Sequence, residues 1–395
     1  MKIGFYVQRV AGAPGFENVV SAHVQLPLYT MQLLQEQGHD VQLITTRFSN
    51  NLTLPNCLPE GTKVHQVSYG TRQGDSLVMF VGNKSGIRPL KLIEQLWQIR
   101  SIVQQEKYDV LHFAGSSRIA YLAGLLAYLG INTPIVLTIN VGDLSERFIL
   151  LRNLLWRRIS TIITSTTFYK DICELKGLKT RILKHGIIRQ INIPKEPDGT
   201  SSGFPKSRVL FWRDPSWENG ADLCLQVYKV LAPKFPDVNF DLAVRPHWNP
   251  VSGLKELSES FPNVHVYEFP YKDGITLDYL LSTATCVLLP FRELSTHPQF
   301  AVMESMLAST ATITTALESN HELIEHKRNG FLVPVNDVEE TIEIITYLLN
   351  KPEKAAEIGQ QAFEDINSAW NWNNYVSELI GIYEDSISQN STKIY

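Results

Sequence analysis

The stretch ATCVLLPFRELSTHPQFAVMESMLASTATITTALESNHELIEHKRNGFLVPVND, residues 284–337, decides the fold. Cys286–Leu289 is a short apolar run that stops at Pro290, the pattern of a buried strand. A polar loop follows, and then Phe300–Ala308, an apolar helical segment. Ala311–Thr314 is a second short β-rich run. Short strands separated by helical patterns imply a parallel sheet with helices on both faces.

The same alternation extends outward. Upstream come strands at Val209–Trp212, Asn239–Val244 and Val264–Tyr267, with helices at Asp222–Leu231, Leu254–Ser260 and Leu277–Ser282. The first half repeats the pattern. Its strands are Ile3–Val7, Val41–Thr45, Val64–Tyr69, Val110–Phe113, Ile135–Ile139 and Thr161–Ser165; its helices are one ending at Gln37, then Leu90–Gln105, Arg118–Leu129 and Ser145–Arg158. Between the halves, PKEPDGTSSGFPKS at 194–207 has Pro, Gly and Ser without periodicity and reads as a linker. The expected fold class is therefore α/β, two tandem Rossmann-like doubly wound domains facing across a cleft. Residues 1–193 form one and 205–371 the other. In such sheets the ligand site lies at the carboxyl ends of the strands.

The bulk numbers agree. A chain of 395 residues, 44% hydrophobic and 19% charged, has ample material for two cores. The charge is uneven: residues 1–194 hold 21 Lys+Arg against 12 Asp+Glu, and 195–395 hold 15 against 28. The acidic second half argues against nucleic acid as a partner of the whole molecule. The basic first half suits an anionic lipid surface or a lipid-phosphate-linked acceptor. Four widely spaced cysteines, Cys57, Cys173, Cys224 and Cys286, contain no CxxC pair and favour a reducing compartment. The N-terminus shows no signal-peptide pattern, and the longest apolar stretch, Ile119–Ile131, is too short to cross a bilayer. The expectation is a cytoplasmic protein with peripheral contact at the cytoplasmic membrane face. His247, His265, His297, His321 and His326 lack metal-ligand spacing, so no metal site is expected.

Several motifs in fixed order carry a resemblance: Val287–Pro290, Glu304-Ser-Met306, Glu322-Leu-Ile324 and Asn329-Gly330, with Gly38-His39, Tyr108-Asp109-Val110 and His185-Gly186-Ile187 before them. With these the chain resembles the retaining, nucleotide-sugar-dependent glycosyltransferases of the GT-B fold. The group includes family 4-like (group 1) transferases such as sucrose-phosphate-synthase-like and bacterial polysaccharide and lipid enzymes. The resemblance implies transfer of a sugar, with retention, from a nucleotide-diphosphate sugar to a glycan or lipid-linked acceptor, with no cofactor. It implies that the C-terminal helix, within 372–395, packs back on the first, acceptor-binding domain. Glu304 becomes the second acid of an E-x₇-E motif, a carboxylate able to accept two hydrogen bonds from the donor ribose diol. Gln299, Phe300 and Ala301 fall at the helix N-terminus, where backbone N–H groups and the dipole favour a diphosphate. Arg213 takes the phosphate-binding position after the first strand of the second domain, and Tyr271 lies at the level of the base. Gly12, Gly15 and His112 are assigned to the acceptor side.

Three positions depart from the family pattern. Thr296 stands at the first acid of E-x₇-E, where it remains a donor-side candidate; Glu218 stands where a lysine is expected, leaving Asn219 as a donor; Asn140 replaces a histidine near the reacting sugar. Retaining enzymes of this fold rely on positioning and leaving-group stabilisation, so these replacements leave catalysis by Arg213, Glu304 and Asn140 feasible. They also keep a non-catalytic nucleotide-sugar-binding relative open as the alternative.

Overall fold

The computed structural model describes residues 1–8, 10, 22–46, 58–68, 89–141, 154–175, 180–188, 208–247, 249–272 and 274–392, though not the side chains of 22, 23, 116–118, 140, 141, 175, 391 and 392. Gly12, Gly15, the 194–207 segment and most of the helix expected at 145–158 lie outside the described residues. The chain divides into two compact units. The first is Met1–Ile188 with Trp372–Tyr395; the second is Arg189–Asn371.

Unit 1 holds strands β1 (Lys2–Val7), β2 (Asp40–Thr46), β3 (Val64–Val67), β4 (Val110–Ser116), β5 (Ile135–Val141), β6 (Thr161–Thr164) and β7 (Thr180–Ile182). They form one parallel sheet in the order β3-β2-β1-β4-β5-β6-β7. Helices α1 (Ala22–Glu36), α2 (Pro89–Glu106), α3 (Ser117–Tyr128) and α4 (Thr167–Leu175) connect them. The β7 strand is too short to show a period in the sequence; pairing with β6 makes it a strand. The last helix, α11 (Trp372–Thr392), belongs to this unit. Its Tyr375, Val376, Leu379, Ile382 and Tyr383 are buried in one core with Ile3, Phe5, Val24 and Met31. The i, i+3/i+4 spacing of those five residues explains why a helix remote in sequence can close that face.

Unit 2 repeats the plan with β8 (Arg208–Phe211), β9 (Asn239–Val244), β10 (Val264–Glu268), β11 (Cys286–Leu289), β12 (Ala311–Thr315) and β13 (Phe331–Val333). The order is β10-β9-β8-β11-β12-β13, again parallel. Helices α5 (Ala221–Leu231), α6 (Leu254–Ser260), α7 (Leu277–Ser282), α8 (Phe300–Leu307), α9 (Val338–Asn350) and α10 (Pro352–Ala369) flank the sheet. Strand order reverses direction between β8 and β11. A crevice opens at such a switch point because the connections on its two sides leave for opposite faces of the sheet.

Candidate functional site

The residues singled out in the second half gather at the carboxyl ends of β8 and β11, on the switch point of unit 2. The strand β8 ends at Phe211, and Trp212 and Arg213 follow it directly. Trp212 is buried, and its indole Nε1 donates to Ser305 Oγ at 3.0 Å. Ser305 Oγ in turn donates to the Ala301 carbonyl at 2.8 Å. This chain of bonds ties the end of β8 to α8, one residue away from both Arg213 and Glu304. The two side chains are close enough to interact electrostatically. Burial draws the Arg213 pKa below the ordinary guanidinium value; Asp214 opposes that shift, Arg245 adds to it and Glu304 opposes it. Arg213 Nε is buried without a hydrogen-bond partner.

Arg245 was not singled out in the sequence, although it directly follows β9, the strand beside β8. Its position after a strand end was the available signal. It adds a second cation to an edge from which the expected lysine is missing.

The loop between β8 and α5 is stapled from both sides. Gly220 is left-handed (φ 73°), and a Cβ there would lie 2.0 Å from the Pro290 carbonyl oxygen. Only glycine allows the loop to pass so close to the end of β11. Arg292 donates to Asp222 through both terminal nitrogens, to the Trp217 carbonyl at 2.7 Å and to Asn336 Oδ1 at 2.6 Å. Its guanidinium also covers the Trp217 ring at 4.6 Å. Asn219 is committed to this loop: its Nδ2 donates to the Asp214 carbonyl and Ser216 Oγ, each at 3.1 Å. That bonding makes Asn219 a brace for the loop bearing Arg213. Glu218 is exposed, and hydrogen bonds from its own backbone N–H and from Ser216 hold its pKa below the ordinary value.

Helix α8 starts after Gln299, whose backbone is extended and whose side chain does not cap the helix. The Gln299 side chain is 1% exposed; Oε1 accepts from Thr296 Oγ1 at 3.1 Å, while Nε2 is buried and makes no hydrogen bond. Threonine ladders hold the neighbouring strand ends. Thr314 Oγ1 donates to the Leu289 carbonyl and Thr315 Oγ1 to the Phe291 carbonyl. Tyr271 lies after β10, its ring edge-on to Phe269 at 5.7 Å.

In unit 1 the assignment of His112 to the acceptor side is corrected. The ring is buried in β4, with Nδ1 bonded to the Tyr383 hydroxyl and Nε2 to Thr138 Oγ1 at 2.8 Å. Burial pushes its pKa down to about 3. One nitrogen joins α11 to the sheet and the other joins β4 to β5, so the side chain is a core member. Alternation along the strand turned it inward, which a short apolar run does not reveal. Asn140 lies in β5, at the carboxyl end of the sheet.

Two family models match the chain. Glycosyl transferases group 1 covers residues 201–365, and Glycosyl transferase 4-like domain covers residues 28–183. The chain belongs to the group 1 glycosyltransferases. A Haemophilus influenzae relative described as an uncharacterized glycosyltransferase is 23% identical over 363 residues, which are 89% of this chain and 91% of the relative. Among solved structures, Anabaena HepE in complex with UDP superposes with a TM-score of 0.69 at 15% identity, over 98% of this chain and 100% of HepE. Sucrose-phosphate synthase from Thermosynechococcus elongatus gives 0.66 at 14% identity, over 98% and 100%. The structural likenesses establish the GT-B fold, and the two family models carry the glycosyltransferase class.

Proposed function

We propose that the chain moves a sugar from a nucleotide-diphosphate sugar to a glycan or lipid-linked acceptor, with retention at the anomeric carbon and without a metal ion. The observation that carries this reading is the placement of Arg213 just after β8 and Glu304 on α8, on the two sides of the switch point of unit 2. A similarly folded protein, HepE, has been captured with UDP-glucose. In this chain Glu304 would accept hydrogen bonds from the ribose diol, and the first turn of α8 would face the diphosphate. Arg213 would stabilise the negative charge gained by the leaving diphosphate, and Arg245 adds to the local positive potential. Both cations are part of the chain, so the leaving group has counter-charge without a divalent ion. Unit 1, with Asn140 and the Gly12 and Gly15 loop, would take the acceptor. Retention follows from the family resemblance.

The test is a thermal-shift screen against nucleoside diphosphates, followed by mass-spectrometric transfer assays with the matching sugars and NMR of the new anomeric centre. Transfer that persists in EDTA and keeps the donor's configuration is expected. An inverted product, or activity abolished by EDTA, would overturn the mechanism.

Peripheral membrane contact is the proposed route to a lipid-linked acceptor. Among the described residues no helix is long and apolar enough to cross a membrane. The basic first half is joined by a second feature: Leu90, Ile93 and Trp97 stand 83%, 52% and 54% exposed at i, i+3 and i+7 of α2. The protein is expected to co-sediment with phosphatidylglycerol-containing vesicles in low salt and to be released as ionic strength rises. Failure to sediment at any salt concentration would sink this part.

A further inference from the structure

Eight residues before Glu304, where the family resemblance calls for an acid beside the transferred sugar, the chain has Thr296. Its hydroxyl is turned to Gln299. A carboxylate reaches the segment preceding α8 from another position. Glu318 opens the short 3₁₀ turn after β12, and the segment preceding α8 meets it through His297. His297 Nε2 lies 3.3 Å from Glu318 Oε2, and Nδ1 lies 2.9 Å from Ser319 Oγ. The ring is 5% exposed, Ser319 is fully buried, and burial pushes the His297 pKa down to about 4. A neutral ring has one N–H. With the Ser319 hydroxyl donating to Nδ1, that N–H sits on Nε2, the nitrogen nearer Glu318. Asn320 fixes the turn from below, its Nδ2 donating to Thr314 Oγ1 and the Thr315 carbonyl.

Glu318 itself is not spent on this contact, since its side chain stays 39% exposed. Its backbone is left-handed, with φ 41°, a conformation that non-glycine residues hold only where the surroundings impose it. Burial and the nearby charge of Glu293 raise its pKa above the ordinary carboxylate value. A separate observation points to a ligand. Gln299 presents a buried Nε2 with no hydrogen-bond partner, on the same carboxamide that Thr296 holds through Oε1. A buried amide donor left unpaired is destabilising, and a ligand oxygen in reach would relieve it. This segment thus offers one partly exposed carboxylate to accept from hydroxyls and one amide N–H to donate to a hydroxyl oxygen, the complement of a polyhydroxylated ring.

We propose that Glu318, set beside His297 and working with Gln299, recognises the hydroxyl groups of the transferred sugar in place of the acid absent at Thr296. This rests on the donor reading given above and goes beyond it by assigning the sugar, as distinct from the nucleotide, to residues outside the family motif. His297 is a positioning residue; Glu318 and Gln299 touch the sugar.

Isothermal titration separates the two readings. The probes are UDP, GDP and ADP, each beside its own nucleotide sugars: UDP-glucose, UDP-N-acetylglucosamine, GDP-mannose and ADP-glucose. The parent is expected to bind one sugar nucleotide more tightly than its diphosphate. Glu318→Gln should erase that gain, weakening the sugar nucleotide by about tenfold or more while leaving diphosphate affinity within about twofold. His297→Gln should lose part of the gain, again without affecting the diphosphate. Because the Glu318 side chain is partly exposed, its variant is expected to fold, which a matching thermal midpoint checks. Parental affinity of Glu318→Gln for both ligands would overturn the proposal, as would equal loss of both, which makes Glu318 a purely structural partner of His297. No sugar-dependent gain in the parent, with a diphosphate bound, would overturn it as well. A parent that binds none of the diphosphates would instead overturn the donor reading on which it stands.

Discussion

Glu304→Ala is expected to give a folded protein that no longer binds its nucleotide sugar measurably. Glu304 is partly exposed on α8, with its neighbours Met303 and Ser305 turned into the core. Alanine is the best helix former, so α8 loses neither propensity nor packing. What disappears is the acceptor for both ribose hydroxyls. Two charge-assisted hydrogen bonds at about 1.5 kcal/mol each amount to about 3 kcal/mol, or roughly a hundredfold in affinity. The loss has a second component. Glu304 opposes the depression of the Arg213 pKa, and without it Arg213 faces Arg245 with only Asp214 as counter-charge. The rearranged cations would hold the diphosphate less well, taking the total beyond the hydrogen-bond estimate. Titration calorimetry with the sugar nucleotide found in the screen is the check, with a thermal melt confirming the fold. Parental affinity in a variant with an unchanged midpoint would remove Glu304 from the site.

Arg213→Ala is expected to lower kcat and kcat/KM together. An interaction that strengthens as the leaving group gains charge stabilises the transition state more than the bound donor, so both constants fall. Arg213 suits that task. Its Nε is buried and unpartnered, so the fork has a donor free of internal bonds. The partial burial that draws down its pKa also strengthens its field. Loss of one such donor is worth about 10²–10³ in rate. The lower figure applies here, because the lysine position is taken by exposed Glu218 and Arg245 already shares the edge. Steady-state kinetics on the variant, with and without EDTA, would show the drop and its independence of metal. A variant that kept the parental kcat and raised KM alone would assign Arg213 to uniform donor binding.

The sequence by itself determined the layered architecture and most of the strands, and it nominated Arg213 and Glu304. All of these are local: apolar runs of four or five residues, helical spacing between them, and motifs of fixed order such as Glu304-Ser-Met306. Local patterns state what an element is and which residues end it. Because every paired strand among the described residues is parallel, strand ends are also where ligand groups are expected, and Arg213 stands just after the end of β8.

Tertiary structure decided which strand ends adjoin and which polar residues are already spent. The order β9-β8-β11 set Arg245 beside Arg213, two residues 32 positions apart that no periodicity relates. A turn after β12 brought Glu318 to His297, 21 positions earlier in the chain. The same long-range packing withdrew His112 and Asn219. Tyr383 of the last helix occupies His112, and Asp214 and Ser216 occupy Asn219. A hydrogen-bonding side chain is available to a ligand only when no neighbour satisfies it first, and those neighbours are set by register and loop geometry, which span the whole chain.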